Sequence, residues 1–552
     1  MGITDGEISF QLSKSTYKHM KINKNHTIKI LLIGLASFGL NACLNLDEEV
    51  YSEVVASNFN PTGKDIASII APVYGSFRGL MMGWQGYFDT QEESADIIIT
   101  PARPNGWYDG GTYLRMHQHN WTSLQWQPTN IWQSAYRSIT TANRVMSQIE
   151  DGEIPITEQK DAVIAELRAA RAFAYYLLLD NHGNVPIVTD FKDVTLPEQK
   201  NRREVYDFVI SELEEAMPML SEDVNNTYGQ FNKWVVQALL AKIYLNSEVY
   251  IGEAAWQKCI EACDAVISGG AGYTLDDNYS DIFNWENHTS PEIIFAIPYD
   301  EIYGTGNTVH MKTLDPLSRF VYNMQAGPWG GNCAVPQFIN TYDPEDSRLE
   351  DTWLLGPQLS ASTGETVINY VNRVPSMAGT ESNQGARIGK YAIKPGATGS
   401  LDNDFPMLRY ADILMMKAES LLRTGRSDEA AQLVTEVRRR AFRSTDPSKA
   451  EVTGAELLEG SSYNYGIQNE DGTVSGTGGE DIQFGRFLDE LGWEFAAEAH
   501  RRQDIIRFGV FQTKSWFNHS PHSQSDTRTI FPIPNDEMNK NPKLTQNPGY
   551  DN

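Results

Sequence analysis

Two loops of this chain combine the residue types that a sugar ring demands. A pyranose presents apolar C–H faces and a fringe of hydroxyls. Tryptophan and tyrosine suit the faces, because a rigid ring gives a large contact area at little entropic cost. Asparagine, aspartate, arginine and glutamine suit the hydroxyls, because their donors and acceptors fix orientation. The first loop reads Arg103-Pro104-Asn105-Gly106-Trp107-Tyr108-Asp109-Gly110-Gly111, and its glycines are expected to leave the Trp107 indole free to project. The second joins Tyr303-Gly304 to residues 326–332, where Trp329 stands between a proline and glycines. Trp107, Trp329 and Tyr303 are the candidate platforms, with Arg103 and Asn105 as polar neighbours. Each ring has a competing reading as a packing residue under a long loop, and Trp84 and Tyr87 fit that reading better.

Other chemistry finds little support. The chain has no HExxH, no GxSxG elbow and no P-loop. Acidic pairs such as Asp47/Glu48 or Asp343/Glu345 say little in a chain with 72 acids. His117 and His119 flank Gln118 and read as a hydrogen-bonding pair in a loop rather than as metal ligands. Cys259 and Cys263 share one face of a helix without further ligands nearby, so buried free thiols are expected. Aspartate-rich loops lack EF-hand spacing. No catalytic residue, cofactor or metal is expected. The formal charge of −27 excludes nucleic acid as a natural partner, since phosphate binding needs clustered cations.

The elements that must position the two loops are mostly helices. Residues 64–77 form an amphipathic pattern, followed by a Gly- and aromatic-rich stretch to Trp126. Helical periodicity returns over 130–147 and again from about 158 into the block ELRAARAFAYYLLLDNHGNVPIVTD at 166–190, giving an αα-hairpin. Gly183 is placed to end that helix in the left-handed conformation, and Pro186 turns the following residues extended. A second hairpin comes from 233–246 and 254–268, and a third from 408–423 and 428–442 with Ser427 as N-cap. The third has the small residues and Gly-containing turn of a tetratricopeptide repeat. Residues 486–509 read as one closing helix. Between the hairpins, roughly 271–406 and 444–483 are rich in Pro, Gly and Asn, where binding sites mounted on a rigid frame usually lie. Trp121, Trp126 and Trp132 read as core.

The first residues have a different character. Lys18, Lys21, Lys24 and Lys29 precede an apolar run over 30–40 that ends at Leu40-Asn41-Ala42-Cys43. This reads as a secretory signal over 1–42, with Met20 as an alternative start, and Ala42-Cys43 resembles a bacterial lipobox in which the cysteine is lipidated. The run is about half of the roughly 20 residues that span a bilayer. Residues 43–60 make an acidic tether.

Taken together, these blocks resemble the SusD/RagB family of Bacteroidetes outer-membrane nutrient-binding lipoproteins. The lipobox at Cys43, the 166–190 block, WVVQALLAKIYL, AVPQFINTYDPEDSR, MLRYADILMMKAESLLRTG, LGWEFAAEAHRRQDIIRFG and IFPIPNDEMNKNP match in the family's order. The resemblance implies an all-α fold on about four tetratricopeptide-like helix pairs, an N-terminal region over 61–270 and a loop-rich C-terminal region over 271–552. It implies a binding protein rather than an enzyme, lipid-anchored at the outer membrane and facing outward. Its partner would be a SusC-like TonB-dependent transporter, and its ligand an oligosaccharide. In starch-binding members an aromatic arc comes from comparable loops, which puts Trp107, Tyr303 and Trp329 in approximately matching places. The same rings could instead pack on the transporter, making the protein a structural lid for import of peptides or other nutrients.

Overall fold

Among the described residues, eight long helices pair off in sequence order, and the pairs build the frame. The computed structural model describes residues 62–82, 85–156, 158–469 and 471–551; the signal, Cys43, the tether and Trp84 lie outside them. Helix α1 (Gly63–Met81) packs on α2 (Trp126–Glu150), α3 (Lys160–Asn181) on α4 (Arg202–Ala216), α5 (Lys233–Leu245) on α6 (Trp256–Ser268), and α7 (Tyr410–Arg423) on α8 (Ser427–Phe442). Helix α2 also packs on α3, and α6 on α7, so the pairs stack into an array. This is the tetratricopeptide-like all-α frame that the sequence predicts. Helix α4 was not among the expected elements. It carries a capping box at Asn201 and Glu204, and it is amphipathic over too short a polar-rich run to stand out.

The alanines of α3 do what their size suggests. Ala165, Ala169, Ala170, Ala172 and Ala174 are all buried, and Phe173 fills the space between neighbouring helices, meeting Phe77 of α1 edge-on at 5.2 Å. Gly183 takes φ +69 at the helix end as expected, and Val185–Pro186 leaves as a short strand. Among the described residues no helix is long and apolar enough to cross a membrane.

The loop-rich insertion begins and ends on one ribbon. Strand β2 (Ile293–Ile297) pairs antiparallel with β4 (Phe405–Arg409), which runs straight into α7. A second short pairing, β1 (Ile98–Ile99) with β3 (Cys333–Ala334), ties the first candidate loop to the second.

Beneath the insertion the core is ionic. Arg409 is fully buried and donates to Glu292 at 2.7 Å, to Glu494 at 2.8 Å and to both oxygens of Glu498 at 2.8 Å. Arg440 and Arg348 complete the ring around Glu494. Burial pushes the Glu494 carboxyl up, but the guanidiniums of Arg440, Arg409 and Arg348 outweigh it and hold the group far below the usual carboxylate range.

The same cluster explains why residues 486–509 are not one helix. They form α9 (Gly485–Phe495) and α10 (Arg501–Arg507), with Ala497 and Ala499 at φ near +60 between them. The carbonyls that would continue α9 are taken by side chains: Tyr279 OH and Arg409 donate to Glu494 O, Lys390 to Ala496 O at 2.7 Å and Tyr391 OH to Ala497 O at 3.0 Å. Two smaller expectations also change. Arg426, not Ser427, occupies the N-cap of α8. Trp121 and Trp132 are core, but Trp126 is 46% exposed, because it falls off the buried stripe of α2 that runs through Gln127, Ile131, Trp132 and Ala135.

Candidate functional site

The β1–β3 pairing brings four of the five candidate side chains into one cluster. Arg103 and Gly106 exchange backbone hydrogen bonds at 2.8 and 2.9 Å, closing a tight turn over Pro104-Asn105. The turn aims Asn105 across the gap, where its Nδ2 donates to the Trp329 carbonyl at 2.7 Å. Trp107 follows with φ +71, a conformation that a bulky residue adopts only when its surroundings dictate it.

That backbone turns the Trp107 indole inward. Its Nε1 donates to the same Trp329 carbonyl at 2.8 Å, and Tyr113 packs against it at 5.6 Å. The ring lies on Gly331, where a Cβ would come within 2.6–2.7 Å of three indole atoms. Trp107 keeps only 8% of its surface. The expectation that neighbouring glycines free this indole to project is therefore corrected: the glycine that matters is Gly331, and it lets the ring in.

Arg103 is likewise buried. Its Nε donates to Gly331 O at 2.8 Å, one terminal nitrogen to Glu381 O and Gln384 O at 2.8 and 3.0 Å, and the other to Cys333 Sγ at 3.2 Å. Burial lowers its pKa to about 10, so it stays cationic at neutral pH. Arg387 adds a bond to Asn332 O at 3.0 Å. The Trp329 loop is thus held along its length, since Trp329 N and Gly331 N also donate to Met311 O and Lys312 O at 2.6 Å.

The side chain that this apparatus presents is Trp329, with 37% of its surface open. Tyr108, which the sequence reading did not single out, is 65% exposed and lies over Gly111 beside Arg115. No local sequence signal marks it, because composition reads Trp107 as the outward ring of this loop. Tyr303 is 90% exposed on a separate turn. Asp300 fixes that turn by accepting from Ile302 N and Tyr303 N at 2.8 and 2.6 Å, and those N–H groups lower its pKa. Lys394 bridges Glu301 and Asp402 next to it. Tyr87 is core, its hydroxyl accepting from Gln503.

The remaining reactive groups are built into the interior. His117 and His119 are buried, and His119 stacks on Phe511 and meets His519. Burial drives the pKa of both well below the ordinary value. Cys259, Cys263 and Cys333 are buried free thiols. Among the described residues no group of three or more His, Cys, Asp or Glu is arranged to hold a metal ion.

Comparison with known proteins gives two family models on separate stretches of the chain. A model described as the SusD family matches residues 291–550, and one described as starch-binding, associating with the outer membrane, matches 46–245. The starch-binding protein SusD of Bacteroides thetaiotaomicron is 26% identical over 484 residues, covering 78% of this chain and 80% of that protein. A SusD-like protein of Bacteroides ovatus is 25% identical over 423 residues, 71% of this chain and 72% of its own. Among solved structures, a laminarin-binding SusD-like protein superposes with a TM-score of 0.66 at 20% identity, over 89% of this chain and 100% of that one. Surface glycan-binding protein A of Bacteroides uniformis gives 0.65 at 18% identity, over 88% and 99%. These likenesses establish the fold.

Proposed function

From the premise that the chain belongs to the SusD/RagB family, we propose that it is a cell-surface glycan-binding lipoprotein. It captures oligosaccharide on the Trp329 face and passes it to a TonB-dependent outer-membrane transporter. The observation that carries the reading is the clamp on Trp329. Two side chains, Asn105 and Trp107, donate to its carbonyl, and Arg103 donates to the carbonyl two residues on. A surface tryptophan fixed this firmly is a preorganised platform, which lowers the entropic cost of binding. Trp329 is the principal platform, Tyr303 and the newly recognised Tyr108 are further contacts, and Trp107, Asn105 and Arg103 are positioning residues. The names of the relatives, starch-binding and laminarin-binding, support a glycan as ligand. Lipidation at Cys43, outward orientation and the SusC-like partner rest on the family and on the residues quoted above. The protein binds and does not cleave.

A second reading has one observation behind it. Leu317 and Phe320, on the turn that begins at Pro316, and Leu359 are each more than two-fifths exposed; Pro316 lies against Gly330, and the Phe320 carbonyl accepts from Ala361 N at 3.0 Å. Such an apolar border suits a protein surface, and would make this a structural lid for a transporter of peptides or other nutrients with little affinity of its own. Isothermal titration of the mature protein against a polysaccharide panel that includes starch and laminarin separates the two. Binding to a glycan that is lost in Trp329→Ala supports capture. Binding to none, with co-purification of a barrel, supports the lid. Turnover of any glycan overturns the non-enzymatic reading.

A further inference from the structure

Trp126 opens α2 with its ring 46% exposed. Its neighbours Gln125 and Gln127 both point into the protein: Gln125 Nε2 donates to Thr112 O at 3.0 Å, and Gln127 Nε2 donates to Glu93 at 2.8 Å. With these two amides anchored inside, the ring between them is forced outward. Leu124, two residues earlier, is 70% exposed. Both line an open cleft of about 490 Å³ together with Ser123, Thr129, Asn535 and Asp536. That volume falls within the range of small-ligand sites, roughly 300–1,000 Å³. The far wall is fixed, because Asn535 N–H donates to Ser123 O at 3.0 Å.

Like the first face, the cleft sets an exposed indole among polar groups: Leu124 and Pro534 add apolar surface, and the amides of Gln85, Asn130 and Asn535, the Asp536 carboxylate and the hydroxyls of Ser123 and Thr129 surround it. An indole offers the apolar contact for a ring's C–H face, and Asn535, Asp536 and Thr129 offer acceptors and donors for hydroxyls. The cleft is also coupled to the first face. Arg115 donates Nε to Gln125 at 3.3 Å and a terminal nitrogen to Gly110 O at 2.7 Å. One guanidinium therefore braces both the strand of chain before Trp126 and the turn that carries Tyr108, whose predecessor Trp107 holds Trp329.

We infer that the Trp126 cleft is a second saccharide subsite, which binds a distal segment of the same glycan chain that lies on Trp329. The inference rests on the glycan-binding reading, and chain length separates the two. The mature protein is titrated with oligosaccharides of increasing length prepared from whichever polysaccharide of the panel binds. Trp126→Ala and Asp536→Ala should leave the affinity for the shortest binding oligosaccharide unchanged. For the longest they should weaken it about tenfold, as expected for loss of one anchoring side chain. Unchanged affinity at every length overturns the subsite while leaving Trp329 as the platform. Equal loss at every length overturns it too, by making Trp126 part of the first site. Loss of barrel co-purification without any change in titration assigns the cleft to a protein partner instead. If Trp329→Ala is as silent as Trp126→Ala, the glycan reading itself falls.

Discussion

Truncating Trp329 and Trp107 in parallel tests whether the first presents the ligand surface and the second only supports it. Trp329 has 37% of its surface open and Trp107 8%. An aromatic side chain can bury roughly 150–250 Å², so Trp329 offers a ligand roughly 55–90 Å² and Trp107 roughly 12–20 Å². At about 25 cal/mol per Å² of apolar surface, covering Trp329 contributes about 1.4–2.3 kcal/mol, and covering Trp107 about 0.3–0.5 kcal/mol. Converted to affinity, Trp329→Ala should raise Kd about 10- to 50-fold, and the direct share of Trp107 is about twofold. Stability should respond in the opposite order. Trp329→Ala removes an exposed ring and should change unfolding free energy by no more than about 0.5 kcal/mol. Trp107→Ala empties a packed site on Gly331 and should cost about 3–5 kcal/mol. Titration calorimetry and urea unfolding on the same preparations read both columns. Suppose instead that Trp107→Phe keeps wild-type stability and loses more affinity than Trp329→Ala. Then the indole of Trp107 touches ligand, and the assignment of roles is wrong.

Other consequences can be read with the same assays. Gly331→Ala places a methyl against the buried face of Trp107; it should destabilise by about 1–3 kcal/mol and weaken glycan binding through the displaced Trp329 loop, seen as a lower Tm with a raised Kd. Arg409→Ala leaves Glu292, Glu494 and Glu498 buried without their shared cation and should cost about 3–5 kcal/mol in chemical unfolding. Stability should also depend on pH in two directions. Burial pushes Glu92 up to about 8 and Asp412 to about 7. Their folded pKa values lie above the unfolded ones, so what they contribute is complete below the ordinary carboxylate range and is lost as pH rises through 7–8. Burial drives His182 and His310 down to about 4, and the stability these neutral rings carry is lost as pH falls from 6.5 to 4. Tm should peak between about pH 5 and 6.5, and Glu92→Gln should flatten only the alkaline side; an alkaline limb unchanged in that variant would remove Glu92 as its source.

The helical frame was legible because its signals are local. Periodicity, small residues at contacts and a left-handed glycine act within a few residues of one another, and α3 with Gly183 follows them closely. Helix α4 escaped because its stripe is short and interrupted by charges, and only its capping box marks it. The break between α9 and α10 was beyond reach for a different reason. Residues 486–509 have a continuous helical pattern, and what stops the helix is Tyr279, Lys390, Tyr391 and Arg409 claiming its carbonyls. These competitors come from some 85 to 215 positions away, so no window on the chain contains them.

The candidate site was half legible, and the missing half is a matter of direction. Composition marks the 103–111 and 326–332 loops as a pair, and the pairing of β1 with β3 brings them together. Composition does not say which way a side chain faces. A guanidinium suited to hydroxyls is equally suited to carbonyls, and Arg103 spends its donors on Gly331, Glu381 and Gln384. An amide suited to a sugar serves as well to hold a backbone, as Asn105 does. The tight turn at 103–106 and the positive φ of Trp107 turn its indole in, while Tyr108, with helical backbone angles before the turn at Asp109–Gly111, stays out. Once Trp107 is in, its N–H needs an acceptor, and the Trp329 carbonyl supplies one at the cost of committing that loop's backbone to the interior face. With its carbonyl turned inward and clamped, the Trp329 residue presents its ring at the surface. The residues that looked like ligand contacts therefore position the proposed Trp329 platform without forming most of it, and substitutions there should act on affinity in proportion to how far they release Trp329.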